Sequence, residues 1–167
     1  MCSYCGCRNI PLIGKLTMQH ENITNHTTAL RAAGRKDDRA AAAAAAAVLG
    51  ELLHPHTHLE EQGLFAEMRT DEMFTEHIDS LCAEHEVIDA ELAAICGGDL
   101  SRVDPLLNLL ANHIDREENG LFPAALVYLD DVQWDRLHEP ETPDAGAAAA
   151  AHGHSHPHGV GHQHAQL

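Results

Sequence analysis

Apolar residues recur at three- and four-residue intervals along most of this chain, the spacing that lines up side chains on one face of an α-helix. In residues 11–33 the stripe is Ile13, Leu16, Ile23 and Leu30, with Thr27 filling one step and Gly34 as a stop. His20 falls on that stripe, and His26 sits well round the helix from it. A polar link, GRKDDR, leads to a long predicted helix over residues 40–69. Its inward face carries Leu49, Leu52, Leu53, His56, Glu60 and Leu64, and Pro55 predicts a kink just before His56. A third helix is predicted over residues 71–96, with Phe74, Ile78, Leu81, Ile88, Leu92 and Ile95 on one face and His85 in their midst. Gly97 and Gly98 close it.

The fourth predicted helix starts with Asp104 as its cap and Pro105 in the first turn. Leu106, Leu110, His113, Glu117 and Leu121 form its stripe, and Pro123 is expected to kink or end it. A short segment over residues 132–137 carries the only Trp and reads as a packing lid. Sparse aromatics and abundant Ala, Leu and Glu agree with helix throughout. Four amphipathic helices with short links predict an all-α fold, an antiparallel four-helix bundle.

The polar interruptions of these stripes carry the chemistry. Each helix has one inward histidine: His20, His56, His85 and His113. Two helices add a glutamate one turn later, Glu60 and Glu117. Residues i and i+4 share a helix face, so both side chains of an H-x-x-x-E pair reach one centre. The segment HTHLEEQGLFA at residues 56–66 is echoed by HIDREENGLFP at residues 113–123, and QHENI around His20 by EHEVI around His85. Each half of the chain therefore supplies one His and then one H-x-x-x-E. Two such hairpins with pseudo-twofold symmetry would hold two metal ions, each taking two His, with the glutamates bridging. Imidazoles and carboxylates facing a core are costly unless paired or metal-bound. A lone inward His is usually a hydrogen-bonded core residue, but four in repeat-related positions favour a metal centre.

Composition narrows the picture further. The chain has 167 residues, a formal net charge of −16 and 15 histidines. So acidic a chain is a poor partner for nucleic acid or an anionic membrane surface. No run is long enough to span a bilayer and no secretory h-region is visible at the N-terminus, so a cytoplasmic location is expected. Thiols stay reduced there, so the five cysteines are not read as a disulfide framework. The expected organisation is a flexible Cys-rich segment over residues 1–10, the bundle over 11–139 and a disordered Ala/Gly/His-rich tail over 140–167. About 130 residues remain for the fold, enough for a useful core. Cys2, Cys5 and Cys7 form C-x-x-C-x-C, which could bind a soft metal or cycle as a thiol pair. The His-rich tail has a composition that chelates Zn, Ni or Cu. Cys82, one turn before His85, and Cys96 read by default as packed thiols. His54 and His58 point away from the His56 face, and Glu21 and Glu86 read as solvated residues with a possible orienting role.

The paired H-x-x-x-E-E-x-G-L-F motif, with an upstream His in each half, resembles the hemerythrin-like (HHE cation-binding) family over roughly residues 12–130. The resemblance implies a four-helix bundle around a non-haem di-iron centre, its two Fe ions joined by an oxo or hydroxo bridge. It implies His20, His56, Glu60, His85, His113 and Glu117 as the ligands. The family's oxygen carriers use a further His in an H-x-x-x-H pair on the third helix, whereas Leu81 and Asp89 flank His85 at four residues on either side. The carriers also take the last carboxylate five residues after its His, which is Glu118 here, while Glu117 keeps the symmetry with Glu60. Glu61, Glu118 and His77 are candidates for the layer behind the ligands. A four-His, two-Glu set resembles the members tied to iron–sulfur repair, nitric oxide and peroxide more than those that carry oxygen. The expected small-molecule partners are O2, H2O2 or NO, and reduction of O2 or NO calls for an electron donor as well. The alternatives are oxygen or iron binding, sensing or storage without turnover, or metal handling led by the Cys and His tails.

Overall fold

The computed structural model describes residues 10–137. Cys2, Cys5, Cys7 and the His-rich tail lie outside the described residues. Helix α1 spans Pro11–Arg35, α2 Arg39–Leu59, α3 Phe65–Met68, α4 Glu72–Cys96, α5 Val103–Arg116, α6 Phe122–Tyr128 and α7 Asp131–Arg136. Two π-helical turns, Glu60–Leu64 and Glu117–Leu121, join α2 to α3 and α5 to α6, and a 3-10 turn, Leu100–Arg102, precedes α5. Among the described residues there is no strand. The long helices pack in a closed ring, α1 on α2, α2 on α4, α4 on α5 and α5 back on α1, and short links make each neighbour antiparallel.

Local chemistry sets the helix ends. Pro11 stands in the first turn of α1, where its missing N–H costs nothing. Asp38 and Asp71 cap α2 and α4 by accepting from the backbone N–H groups of Ala41 and Met73 at 3.0 and 2.9 Å. Asp130 and Gln133 form a reciprocal capping box at α7. The expected start of the fourth helix at Asp104 is corrected. Asp99 accepts from the Ser101 N–H at 3.1 Å and starts the 3-10 turn there, so Asp104 and Pro105 lie inside the first turn of α5. Helix α2 runs on past Pro55, which gives up one backbone bond, and a π turn starts at Glu60 one turn later. Pro123 likewise ends nothing: it occupies the first turn of α6, directly after the second π turn.

Two apolar layers fill the bundle. One contains Leu30, Ala42, Ala46, Leu49, Ile95 and Leu106 at the end where α1 turns into α2. Alanines on α2 keep that end slim, and Gly34 belongs to the same fit: a Cβ there would meet Val103 Cγ1 at 3.0 Å. The other contains Ile13, Leu16, Phe65, Ile78, Leu81 and Phe122. Trp134 and Leu137 of the short last segment pack against this second layer, as the lid expectation has it. His20, His56, Glu60, His85, His113 and Glu117 fall between the two layers on their helices, and each is 5% exposed or less.

Candidate metal centre

Four histidines and two glutamates cannot share a dry layer without a reason, and their geometry supplies one. Their ligand atoms form two groups, His20, His56, Glu60, Glu117 and Glu60, His85, His113, Glu117, each with all atoms within 4.8 Å of one another. Both glutamates belong to both groups. Their oxygens divide between the histidine pairs. Glu60 Oε1 lies 3.4 Å from His56 Nε2, and its Oε2 lies 3.5 Å from His85 Nε2. Glu117 Oε2 lies 3.1 Å from His20 Nε2, and its Oε1 lies 3.2 Å from His113 Nε2. Each carboxylate thus spans from one pair of imidazoles to the other.

The outward ring nitrogens fix the inward ones. His85 Nδ1–H donates to Glu61 Oε1 at 2.8 Å and His113 Nδ1–H to Glu84 Oε2 at 2.8 Å. His20 Nδ1–H donates to Glu118 Oε1 at 3.2 Å and His56 Nδ1–H to the Gln19 side-chain oxygen at 3.1 Å. With its proton held on Nδ1, each ring presents a lone pair at Nε2, the tautomer a metal needs. The rings of His20 and His85 stack on Phe122 and Phe65, at centroid distances of 5.7 and 5.8 Å. The phenylalanine of each G-L-F motif therefore braces the single histidine of the other half.

The residues fit a cation on their own account. His20 Nε2 and all four oxygens of Glu60 and Glu117 are buried without a hydrogen-bond partner. Unpaired polar atoms in a dry layer cost several kcal/mol, on the order of 1–3 each. His85 Nε2 and His113 Nε2 face each other at 3.0 Å, a hydrogen bond when one of the two rings carries a proton there and a meeting of lone pairs, suited to a cation, when both are protonated on Nδ1 alone. Without a metal the layer sorts its protons unevenly. Burial and the nearby Glu117 charge push the Glu60 carboxyl well above the usual carboxylate range. Burial opposes ionisation of Glu117 as well, but the charges of His113 and His20 beside it outweigh burial and hold that carboxyl low. Burial lowers His20 and His113, yet Glu117, together with Glu118 at His20 and Glu84 at His113, outweighs burial and leaves both above their ordinary value. His56, buried and beside the His20 charge, falls to about 3.

All six residues expected as ligands thus come together. Glu61 and Glu118 stand behind His85 and His20. His77 does not reach a ligand: its Nδ1 lies 3.4 Å from Arg116, which pairs with Glu84. Gln19 and Glu84 were not singled out by the sequence reading. The signal was in the repeat, since each immediately precedes the single histidine of its half. Glu21 and Glu86, on the other side of those histidines, are exposed, as are His26, His54 and His58. Cys82 is half-buried, with Arg69 donating to its Sγ at 3.6 Å, and burial followed by the Glu61 charge raises its thiol. Cys96, expected to be packed, is exposed, because the helix end leaves it on the rim. Among the described residues no helix is long and apolar enough to cross a membrane.

A helical bundle with a buried cluster of four His and two Glu, arranged as two groups that share both carboxylates, defines a metal-binding protein of the bundle-core type. Residues 12–125 match the Hemerythrin family, the hemerythrin HHE cation binding domain, and the chain belongs to that family. No significant match was found among curated proteins or among solved structures.

Proposed function

We propose that the chain is a non-haem di-iron protein of hemerythrin-like type that reacts with peroxide, O2 or NO, in oxidative or nitrosative stress defence or iron–sulfur repair. In this reading His20 and His56 would hold one iron and His85 and His113 the other, with Glu60 and Glu117 shared between the two positions. The observation that supports it most is the division of each buried carboxylate between two histidine pairs. Iron in such a nitrogen and oxygen set supplies one-electron redox chemistry and an open position for a small oxidant. The protein's own part is to hold and to exclude. Glu118, Gln19, Glu61 and Glu84 keep the imidazoles oriented through their Nδ1–H groups. The apolar layers on either side keep bulk water and large molecules from the centre, which favours substrates of two to four atoms.

The test is iron content and absorption of the full-length chain purified without added metal, beside a His56→Ala/His113→Ala variant. The variant keeps any metal held by the tails, so the difference reports the bundle core. Two irons per chain in the difference, with oxo-to-iron bands in the near ultraviolet, are expected. Zinc alone, or an unchanged metal content in the variant, would sink the di-iron reading. Repeated turnover of added peroxide or NO supports the reactive role, and stoichiometric binding without turnover replaces it by sensing or storage.

A further inference from the structure

The two halves of the centre match at the ligands and differ in the layer behind them. His20 corresponds to His85, His56 to His113, Glu60 to Glu117, and Glu61 to Glu118. The acceptors behind the single histidines are equivalent carboxylates, Glu118 for His20 and Glu61 for His85. Behind the paired histidines they differ. His56 donates to the neutral amide oxygen of Gln19 at 3.1 Å, and His113 donates to the Glu84 carboxylate at 2.8 Å. Arg116 completes the difference, standing where the other half has Leu59. Its guanidinium pairs with Glu84 Oε1, leaving Oε2 for His113, and its other amine donates to Ser80 at 3.2 Å.

We propose that Glu84, held by Arg116, is a positioning residue that makes the two metal positions electronically unequal. This rests on the di-iron reading above. A carboxylate takes more of the Nδ1 proton than an amide does, so the opposite nitrogen becomes a stronger donor to a metal. The His85 and His113 position is backed by two carboxylates, Glu61 and Glu84, and the His20 and His56 position by one, Glu118. Arg116 offsets part of that charge, but it binds the oxygen remote from His113. The His85 and His113 position therefore favours the ferric ion, and the first electron given to the pair resides at the His20 and His56 position.

The experiment is Mössbauer spectroscopy and stepwise dithionite reduction of the full-length chain loaded with 57Fe, for wild type, Glu84→Gln, Gln19→Glu and the double swap. Wild type is expected to show two unequal irons and two separated one-electron steps. Each single variant equalises the acceptors and brings the steps together, narrowing the ratio of the two reduction constants by about tenfold. The double swap restores the separation. A purely structural role for Glu84 predicts lower iron content in Glu84→Gln and no spectral change in Gln19→Glu, which overturns the proposal. Two equal irons in wild type, or a separation unchanged in both single variants, also overturn it while leaving the di-iron reading intact. Absence of core iron in wild type removes both.

Discussion

The polar middle of the bundle and the apolar layers on either side of it follow opposite rules. In the outer layers, residues such as Leu30, Leu49, Ile78 and Leu121 are buried against one another and gain by it. In the middle, Glu60 and Glu117 are fully buried with four oxygens that find no hydrogen bond. The outer layers hold the fold, and the middle spends part of that stability on a site. The difference separates two kinds of mutation: those that weaken the fold and leave the site's chemistry alone, and those that do the reverse.

The largest expected effect is removal of metal. A tightly held ion stabilises the folded chain by about 4 kcal/mol once its concentration is about 1,000 times its dissociation constant. Chelation should therefore lower the denaturation midpoint of wild type strongly. In Glu60→Leu the comparison inverts. Replacing a buried unpaired carboxyl by an apolar side chain often stabilises, by about 1–4 kcal/mol for buried ionic groups. The metal-free variant should be more stable than metal-free wild type, and added iron should not raise its midpoint further. A metal-free variant less stable than wild type would mean that Glu60 contributes to the fold without metal.

Next in size is a change in an outer layer. Leu30 is fully buried, and Leu30→Ala should cost about 2–5 kcal/mol in urea unfolding. Its iron content per folded chain and its absorption spectrum should match wild type, because Leu30 belongs to an apolar layer that contains none of the six ligand residues. A changed spectrum would show that the layers are coupled more tightly than their separation suggests.

How much of this was legible beforehand follows the same division. The apolar stripes gave the four long helices, because the 3.6-residue period survives in every one of them. The six inward polar residues stood out against those stripes. The two π turns did not, since Glu60 and Leu64 share a face at α-helical spacing whether or not an extra residue is wound into the turn. With that extra residue, Leu64 and Phe65 both face the core, and Phe65 can stack on His85. The start of the fourth helix was misplaced because Asp104 followed by Pro105 is a strong local signal, whereas Asp99 acts earlier through the Ser101 backbone. Gln19 and Glu84 escaped notice because they serve histidines on neighbouring helices, α2 and α5, which single-helix periodicity does not reveal.

A smaller effect, opposite in sign for the metal-free stability and for the increment that iron adds, is expected from pH. Without metal, Glu60, His20 and His113 all have folded-state values above their ordinary ones. Each binds protons more readily in the folded chain, so its contribution is full below the unfolded value and is lost as pH rises through the folded one. His56 and Glu117 are depressed, and their contributions are in place once pH exceeds about 6.5 and 4.5. Above about 6.5, then, every change still to come lowers stability, and the metal-free midpoint should fall as pH rises. Metal binding requires the same groups deprotonated, so the increment that iron adds should grow over that range. Parallel pH profiles with and without iron would mean that these groups do not hold it.

The smallest effect tests whether the repeated glycine belongs to the fold or to the site. Gly63 and Gly120 stand in the two π turns, and neither has the positive φ found at Gly98. A Cβ at Gly120 would meet nothing within 4 Å, in contrast to Gly34, which is wedged against Val103. If space and backbone entropy alone decide, Gly120→Ala should stabilise by up to about 1 kcal/mol, the helix-interior penalty of glycine. Gly34→Ala should destabilise, because Val103 must give way. The iron spectrum of Gly120→Ala is the decisive reading. An unchanged spectrum assigns the glycine no part in the site. A loss of iron with a stabilised fold would mean that alanine favours ordinary α-helical winding over the π turn and draws Glu117 or Glu118 out of place, so that the glycine serves the metal layer at the expense of the helix.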